Sequence, residues 1–299
     1  MFDGFTRHTM TSGHARIAAR IRGDGPGLLF LHGYPQTMAL WARVAPAFAD
    51  RFTVVCADLR GYGDSAWTGP DELAAFSFRA LAGDQLDLMT QLGFEKFAVV
   101  GHDRGARTAH RMALDHPERV GRVALFDIVP THDMLTGVSR ETALAYWHWY
   151  FLATAAPLPE TLIGADPDFF FASCFQSWGA TTLDALDAEQ VAAYRHAWRR
   201  PEYIHATCQD YRATMTVDLA IDSADAQARI GCPALVAWGQ RGRIASLYDV
   251  PALWRAQCAG ELQTAAVPGG HFFVDESPGQ TTRLLAGFLA EAAARKGPG

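Results

Sequence analysis

The sequence has 299 residues, 49% of them hydrophobic and 19% charged. That balance excludes a disordered or fibrous chain and suits one large domain with an insertion, or two domains. A net charge of −6 and the lack of a Lys/Arg-rich run argue against nucleic acid as a partner. The opening MFDGFTRHTM shows no apolar core of a secretory signal. The longest apolar stretch, Ala143 to Ala156, contains His148 and is too short to span a bilayer. Cys56, Cys174, Cys208, Cys232 and Cys258 are scattered, with neither disulfide nor metal spacing. They are expected to be inert, in keeping with a reducing cytoplasm, and no metal is expected.

In chain order, Gly27–Gly33, Phe52–Gly61, Phe97–Asp103 and Arg122–Pro130 read as short buried strands closed by Gly, Pro or Asp. Phe78–Leu92 and Gly105–His116 read as helices between them. This alternation predicts an α/β fold with a largely parallel sheet. From Met134 the chain turns helical and rich in aromatics, with Trp147, Trp149, Trp178 and Trp198, and reads as an inserted cap. Strand signals resume at Cys232–Gly239 and Leu262–Gly270, a last helix covers Gln280–Arg295, and Gly297–Gly299 should be a frayed tail. The expected organisation is a core of residues 1–133 and 221–299 around a cap of residues 134–220.

Gly101-His102-Asp103-Arg104-Gly105 lies between a predicted strand and a predicted helix, in the G-x-Nuc-x-G form of a nucleophile elbow. The glycines allow a sharp turn that side chains would block. The central residue is a carboxylate, Asp103, which needs no base to become nucleophilic because its reference pKa is about 3.9. Attack on an sp3 carbon would give an enzyme ester. Hydrolysis of that ester needs an activated water and an oxyanion hole. The alternative is that Asp103 only caps the following helix. His271, in Gly269-Gly270-His271 after the last strand signal, is placed as the base. The stretch Trp238–Arg243 has no carboxylate, so the acid that orients His271 is assigned to Asp127, with Asp133 and Asp249 as alternatives. The loop after the first clear strand, His32-Gly33-Tyr34-Pro35, should lend the Tyr34 amide to the oxyanion hole beside that of Arg104, with His32 holding the loop.

HGYPQ (His32–Gln36), DLRGYGDS (Asp58–Ser65), GHDRGAR (Gly101–Arg107) and the late Gly-Gly-His together resemble the ester-forming α/β-hydrolases. Within that group, His-Asp-Arg-Gly-x-Arg is similar to the signature of fluoroacetate (haloacetate) dehalogenases. YWHWY (Tyr146–Tyr150) and CQDYR (Cys208–Arg212) resemble that family's cap. The resemblance implies an α/β-hydrolase fold, a cofactor-free two-step reaction on a small haloacid, and a homodimer. It implies that Arg104 and Arg107 bind the substrate carboxylate. Two cations on one face at a helix start are unfavourable unless an anion sits there, and Arg grips a planar carboxylate bidentately. It also implies that His148, Trp149 and Tyr211 donate hydrogen bonds to the departing halide. The plainer reading of such an aromatic stripe is cap core, to which Trp147 is assigned. Arg111 is read as a surface residue. An epoxide hydrolase shares Asp103, His271 and a cap tyrosine, but its substrate has no carboxylate for the arginine pair.

Overall fold

The computed structural model describes residues 1–294. Its strands are β1 (Thr6–Ser12), β2 (Ala15–Arg22), β3 (Gly27–Leu31), β4 (Thr53–Ala57), β5 (Ala66–Trp67), β6 (Phe97–His102), β7 (Val120–Phe126), β8 (Ala234–Gly239) and β9 (Leu262–Val267). They form one sheet in the order β1-β2-β4-β3-β6-β7-β8-β9, with β5 also paired to β2. All pairs from β4 through β9 are parallel; β1, β2 and β5 pair antiparallel at the other end. The central strands are apolar on both faces because helices cover both sides, and every side chain of β3 is buried. The β1–β2 hairpin was not foreseen. Its first strand, TRHTMTS, buries only Met10, so it carries little hydrophobic alternation.

Helix α1 (Phe78–Gln91) begins where Ser77 accepts a hydrogen bond from the Ala80 amide. Helix α2 (Arg104–Asp115) begins directly at the end of β6. Between β7 and β8 come α3 (Thr131–Thr136), α4 (Arg140–Ala145), α5 (Trp147–Leu152), α6 (Leu158–Ala165), α7 (Pro167–Trp178), α8 (Ala188–Trp198), α9 (Pro201–Ala213) and α10 (Leu219–Ala224). A π-helical turn, Thr214–Asp218, joins the last two. The chain ends with α11 (Arg243–Leu247), α12 (Val250–Gln257), α13 (Phe273–Glu276) and α14 (Pro278–Ala294). The predicted last residue of that helix, Arg295, and the Gly297–Gly299 tail lie outside the described residues. No described helix is long and apolar enough to cross a membrane.

Ring stacks hold the helices between β7 and β8 to one another and to the loop after β9. Phe175 of α7 stacks on Phe272 with centroids 4.1 Å apart, and Phe171 stacks on Trp198 at 5.2 Å. Each such pair contributes about 0.5–1.5 kcal/mol beyond its buried area. Two assignments need correction. Arg111 is buried, not on the surface, because Asp115, Asp222 and Asp225 surround its guanidinium at 2.5, 3.5 and 3.1 Å. Trp147 does rest on Phe151 and Phe170, but its ring is 44% exposed, so it is only half a packing residue.

Candidate active site

Strand β6 delivers Asp103 through a turn that has no spare room. Asp103 has φ +47° and ψ −113°, a conformation that costs on the order of 1–3 kcal/mol in a non-glycine residue. A Cβ on Gly101 would lie 2.3 Å from the Gly105 carbonyl, and one on Gly105 would lie 2.4 Å from the His32 carbonyl. Glycine at both places is therefore steric necessity. The Asp103 side chain makes no capping bond to α2, which removes the helix-cap reading. Its Oδ2 instead accepts the Tyr34 amide at 2.9 Å, leaving Oδ1 as the oxygen free to react. Burial works against ionisation of this carboxyl. The combined fields of His271, Arg104, His102 and Arg107 outweigh it and hold the group below the usual carboxylate range.

His271 follows β9, and its Nδ1 lies 2.7 Å from Asp127 Oδ2. The other Asp127 oxygen accepts the Gly239 amide at 2.8 Å. The end of β8 thus supplies a backbone donor where a carboxylate was missing. Asp249 caps α12 through the Ala252 amide, and Asp133 sits in α3; neither bonds to His271. Burial pulls the His271 imidazole down, but Asp127 and then Asp103 more than restore it, so it lies above its ordinary value. His102, neutral because burial drives it down to about 4, donates from Nε2 to the His271 carbonyl at 2.8 Å. His32 holds its loop as expected, Nδ1 donating to the Gly33 carbonyl and Nε2 accepting the Leu59 amide.

The two arginines differ. Arg107 borders the pocket between the sheet and the helices above it. Its guanidinium donates to the Val129 carbonyl at 3.1 Å and to Thr131 Oγ1 at 2.9 Å, and lies over the Trp149 ring, while its Nε has no partner. Burial brings its pKa down to about 10. Arg104 was expected to face the substrate in the same way. Its guanidinium turns instead to Asp210 and Thr214 and lies between the rings of Phe78 and Tyr211. Asp210, which also accepts the Tyr62 hydroxyl at 2.7 Å, captures it. Burial opposes its charge, but Asp210 keeps its pKa above the ordinary value. One nitrogen, Nη1, stays buried without a partner.

Above Asp103, His148, Trp149 and Tyr211 form one cluster. The Tyr211 ring lies 5.7 Å from both other rings. Burial keeps His148 neutral, and its Nδ1 has no partner. Burial also holds the Tyr211 hydroxyl protonated. Asp103, Arg107, Asp127, His148, Trp149 and His271 face the pocket, while Tyr34, Arg104 and Tyr211 stand behind that lining. Sequence reasoning missed four other wall residues: Tyr146, Trp178, Arg243 and Ile244. Tyr146 adjoins the WHW run and Trp178 was noted only as aromatic, so proximity to the motif was the available signal. Arg243 and Ile244 follow the Trp-Gly end of β8, which was searched only for acids. The cavity is small, about 20 Å³, room for one or two waters.

A doubly covered parallel sheet, a strained carboxylate between strand and helix, and a His–carboxylate pair after later strands define a hydrolase fold. The alpha/beta hydrolase fold model matches residues 26–278, and the chain belongs to that family. It is 51% identical over 98% of its length to the fluoroacetate dehalogenase of Burkholderia sp., of which 96% is covered. It is 30% identical to the soluble epoxide hydrolase of Corynebacterium sp. (strain C12), with 93% of this chain and 91% of that protein aligned. Among solved structures, ALR0039 of Nostoc sp. PCC 7120 superposes with a TM-score of 0.93 at 46% identity, covering 97% of this chain and 99% of that one.

Proposed function

We propose that this chain is a haloacetate dehalogenase that converts fluoroacetate to glycolate and fluoride without a cofactor. The observation that carries this reading is a carboxylate kept ionised by the charges around it, with two buried guanidinium groups nearby, Arg107 on the pocket wall and Arg104 behind it, each with one nitrogen left open. A buried donor without a partner is costly, and a substrate carboxylate would satisfy both. In the first step Asp103 Oδ1 attacks Cα, the C–X bond breaks, and the halide leaves with its electron pair toward His148, Trp149 and Tyr211. The product is a glycolyl ester on Asp103. In the second step His271 takes a proton from water, and the resulting hydroxide attacks the Asp103 carbonyl carbon. The Tyr34 and Arg104 amides stabilise the oxyanion at Oδ2. Collapse expels glycolate as its alkoxide, which takes the proton from His271. The Asp103 carboxyl left behind ionises and releases to solvent the one proton that the overall reaction produces.

The ester also changes the base. While Asp103 is charged, it helps hold His271 protonated. Alkylation neutralises Asp103, so the His271 pKa falls and more of the imidazole is in the neutral form that can accept a proton when the second step needs it. The cap assignment of residues 134–220 places both halide-side helices, α5 and α9, in one unit. A homodimer completes the reading. Among the described residues, seven of the eight exposed large hydrophobics lie between Val138 and Phe169, an apolar surface suited to a second copy. Five free cysteines fit a reducing cytoplasm.

The decisive assay is fluoride release from fluoroacetate beside diol formation from a simple epoxide. Fluoride with no diol supports this reading. Diol with no halide release replaces it with an epoxide hydrolase, for which Tyr211 would be the proton donor.

A further inference from the structure

Asp275 is buried in α13, one turn after His271; among the described residues no cation forms an ion pair with it, and Arg43 acts on it only at longer range. Donors from two other segments converge on its carboxylate. Gln36 Nε2, from the loop that carries the Tyr34 amide, reaches Oδ2 at 2.6 Å. From α8, Gln190 Nε2 reaches Oδ1 at 2.9 Å and the Tyr194 hydroxyl reaches Oδ2 at 3.1 Å. The neighbouring Glu276 accepts the Gly270 amide at 2.9 Å and the Ala180 amide at 3.0 Å, fastening the His271 loop to the end of α7. A buried carboxylate gathering donors from two distant parts of the chain is an expensive arrangement. Core packing alone would be served as well by an apolar residue of that size.

What it joins is specific. The loop bearing Tyr34 and the loop bearing His271 come from opposite ends of the sequence and meet through the Gln36–Asp275 bond. Ester formation needs Asp103, the arginines and the halide donors on α5 and α9, none of which touches Asp275. Ester hydrolysis is the step that needs the Tyr34 amide and His271 at fixed positions about one carbonyl group. We infer that Asp275 is a positioning residue for the hydrolytic half-reaction, holding the base loop in register with the oxyanion loop and with α8. The assignment rests on the proposed two-step reaction.

The buried Oε1 atoms of Gln36 and Gln190 have no partner. Gln190 is held by its donation to the Ala39 carbonyl at 2.8 Å, but rotation of the Gln36 amide would let an asparagine at 275 keep the junction, whereas alanine would empty it. A misplacement of ~1 Å can slow a reaction about 10²-fold.

Rapid-quench mass measurement of the Asp103 peptide with chloroacetate separates formation of the ester from its decay. In Asp275→Ala, decay should slow at least about tenfold while formation stays within about twofold of wild type. Ester should then accumulate during turnover, and kcat and KM should fall together. Asp275→Asn should return decay most of the way to the wild-type rate. If Asp275→Ala does not fold, Gln36→Met cuts the same bond from the other loop and should give the same accumulation. Equal slowing of both steps, or an asparagine variant no better than alanine, would overturn the inference. A wild-type protein that turns over neither haloacetate would instead overturn the function on which it rests.

Discussion

The floor and the roof of the pocket are built by different means. On the floor, the reacting segments are held by hydrogen bonds that each involve the main chain: Asp103 by the elbow and the Tyr34 amide, Asp127 by the Gly239 amide, and the His271 carbonyl by the His102 ring. On the roof, His148, Trp149 and Trp178 are set by ring packing, and His148 Nδ1 and Trp178 Nε1 are left without partners. Bond making at carbon and carbonyl demands fixed atoms, which hydrogen-bonded turns provide. Reception of a leaving anion demands open donors, and those are stable only in a wall that packing already holds.

The largest effect should come from the floor. His271→Ala should leave the first step nearly intact and slow turnover about 10²–10⁴-fold. Intact-mass measurement after incubation with haloacetate should show one substrate-derived ester per chain, on the peptide containing Asp103. Continued multiple turnover without an adduct would mean that another base serves the floor.

Between floor and roof stands Arg107. Arg107→Met removes a charge-assisted contact of about 1.5–3 kcal/mol, at least about a tenfold loss in kcat/KM on haloacetate. Neutral haloacetamide should lose much less. Arg104→Met should lower both substrates more evenly, since it also strips Asp210 of its buried partner. Equal losses for haloacetate and haloacetamide in Arg107→Met would deny it the carboxylate.

The roof predicts a subtler change. Trp149→Phe keeps a ring and deletes the indole N–H. A net hydrogen bond of about 1 kcal/mol should shift the fluoroacetate-to-chloroacetate ratio of kcat/KM about fivefold toward chloride, because fluoride concentrates its charge more tightly. Identical slowing of both substrates would make Trp149 packing alone.

The smallest effect is a displacement along the pH axis. Because Asp103 and Asp127 raise the His271 pKa in the free protein, loss of the Asp103 charge in the ester must lower it. The acid limb of kcat, where hydrolysis limits, should therefore fall at lower pH than the His271 titration seen by NMR in the unliganded protein. Coincident values would mean that the Asp103 charge does not reach the imidazole.

How far the sequence went follows from the range of each cause. The elbow, the His271 loop and the central strands depend on neighbours a few residues apart, and their patterns were visible. Asp127 could be singled out because the usual acid position was empty. The burial of Arg111 could not be read, since two of its partners, Asp222 and Asp225, lie more than a hundred residues away. The turning of Arg104 toward Asp210 has the same origin. Trp147 and Trp149 differ by two residues in one helix and face opposite ways, a distinction set by what α7 and α9 place against them. The β1–β2 hairpin escaped because its outer strand is mostly polar.

Since Asp127 at the end of β7 is the residue that holds His271 Nδ1, the end of β8 carries no side chain on that imidazole. From Gln240 to Gly242 the chain is held through main-chain bonds to Val267, Gly269 and Gly239, which tolerate many side chains. Arg243, the exposed member of the pocket wall, follows at once. For an engineer this makes the stretch a separable vestibule. Its charge and bulk can be rewritten to admit other acids, and natural drift can explore it, while the reacting groups below keep their places.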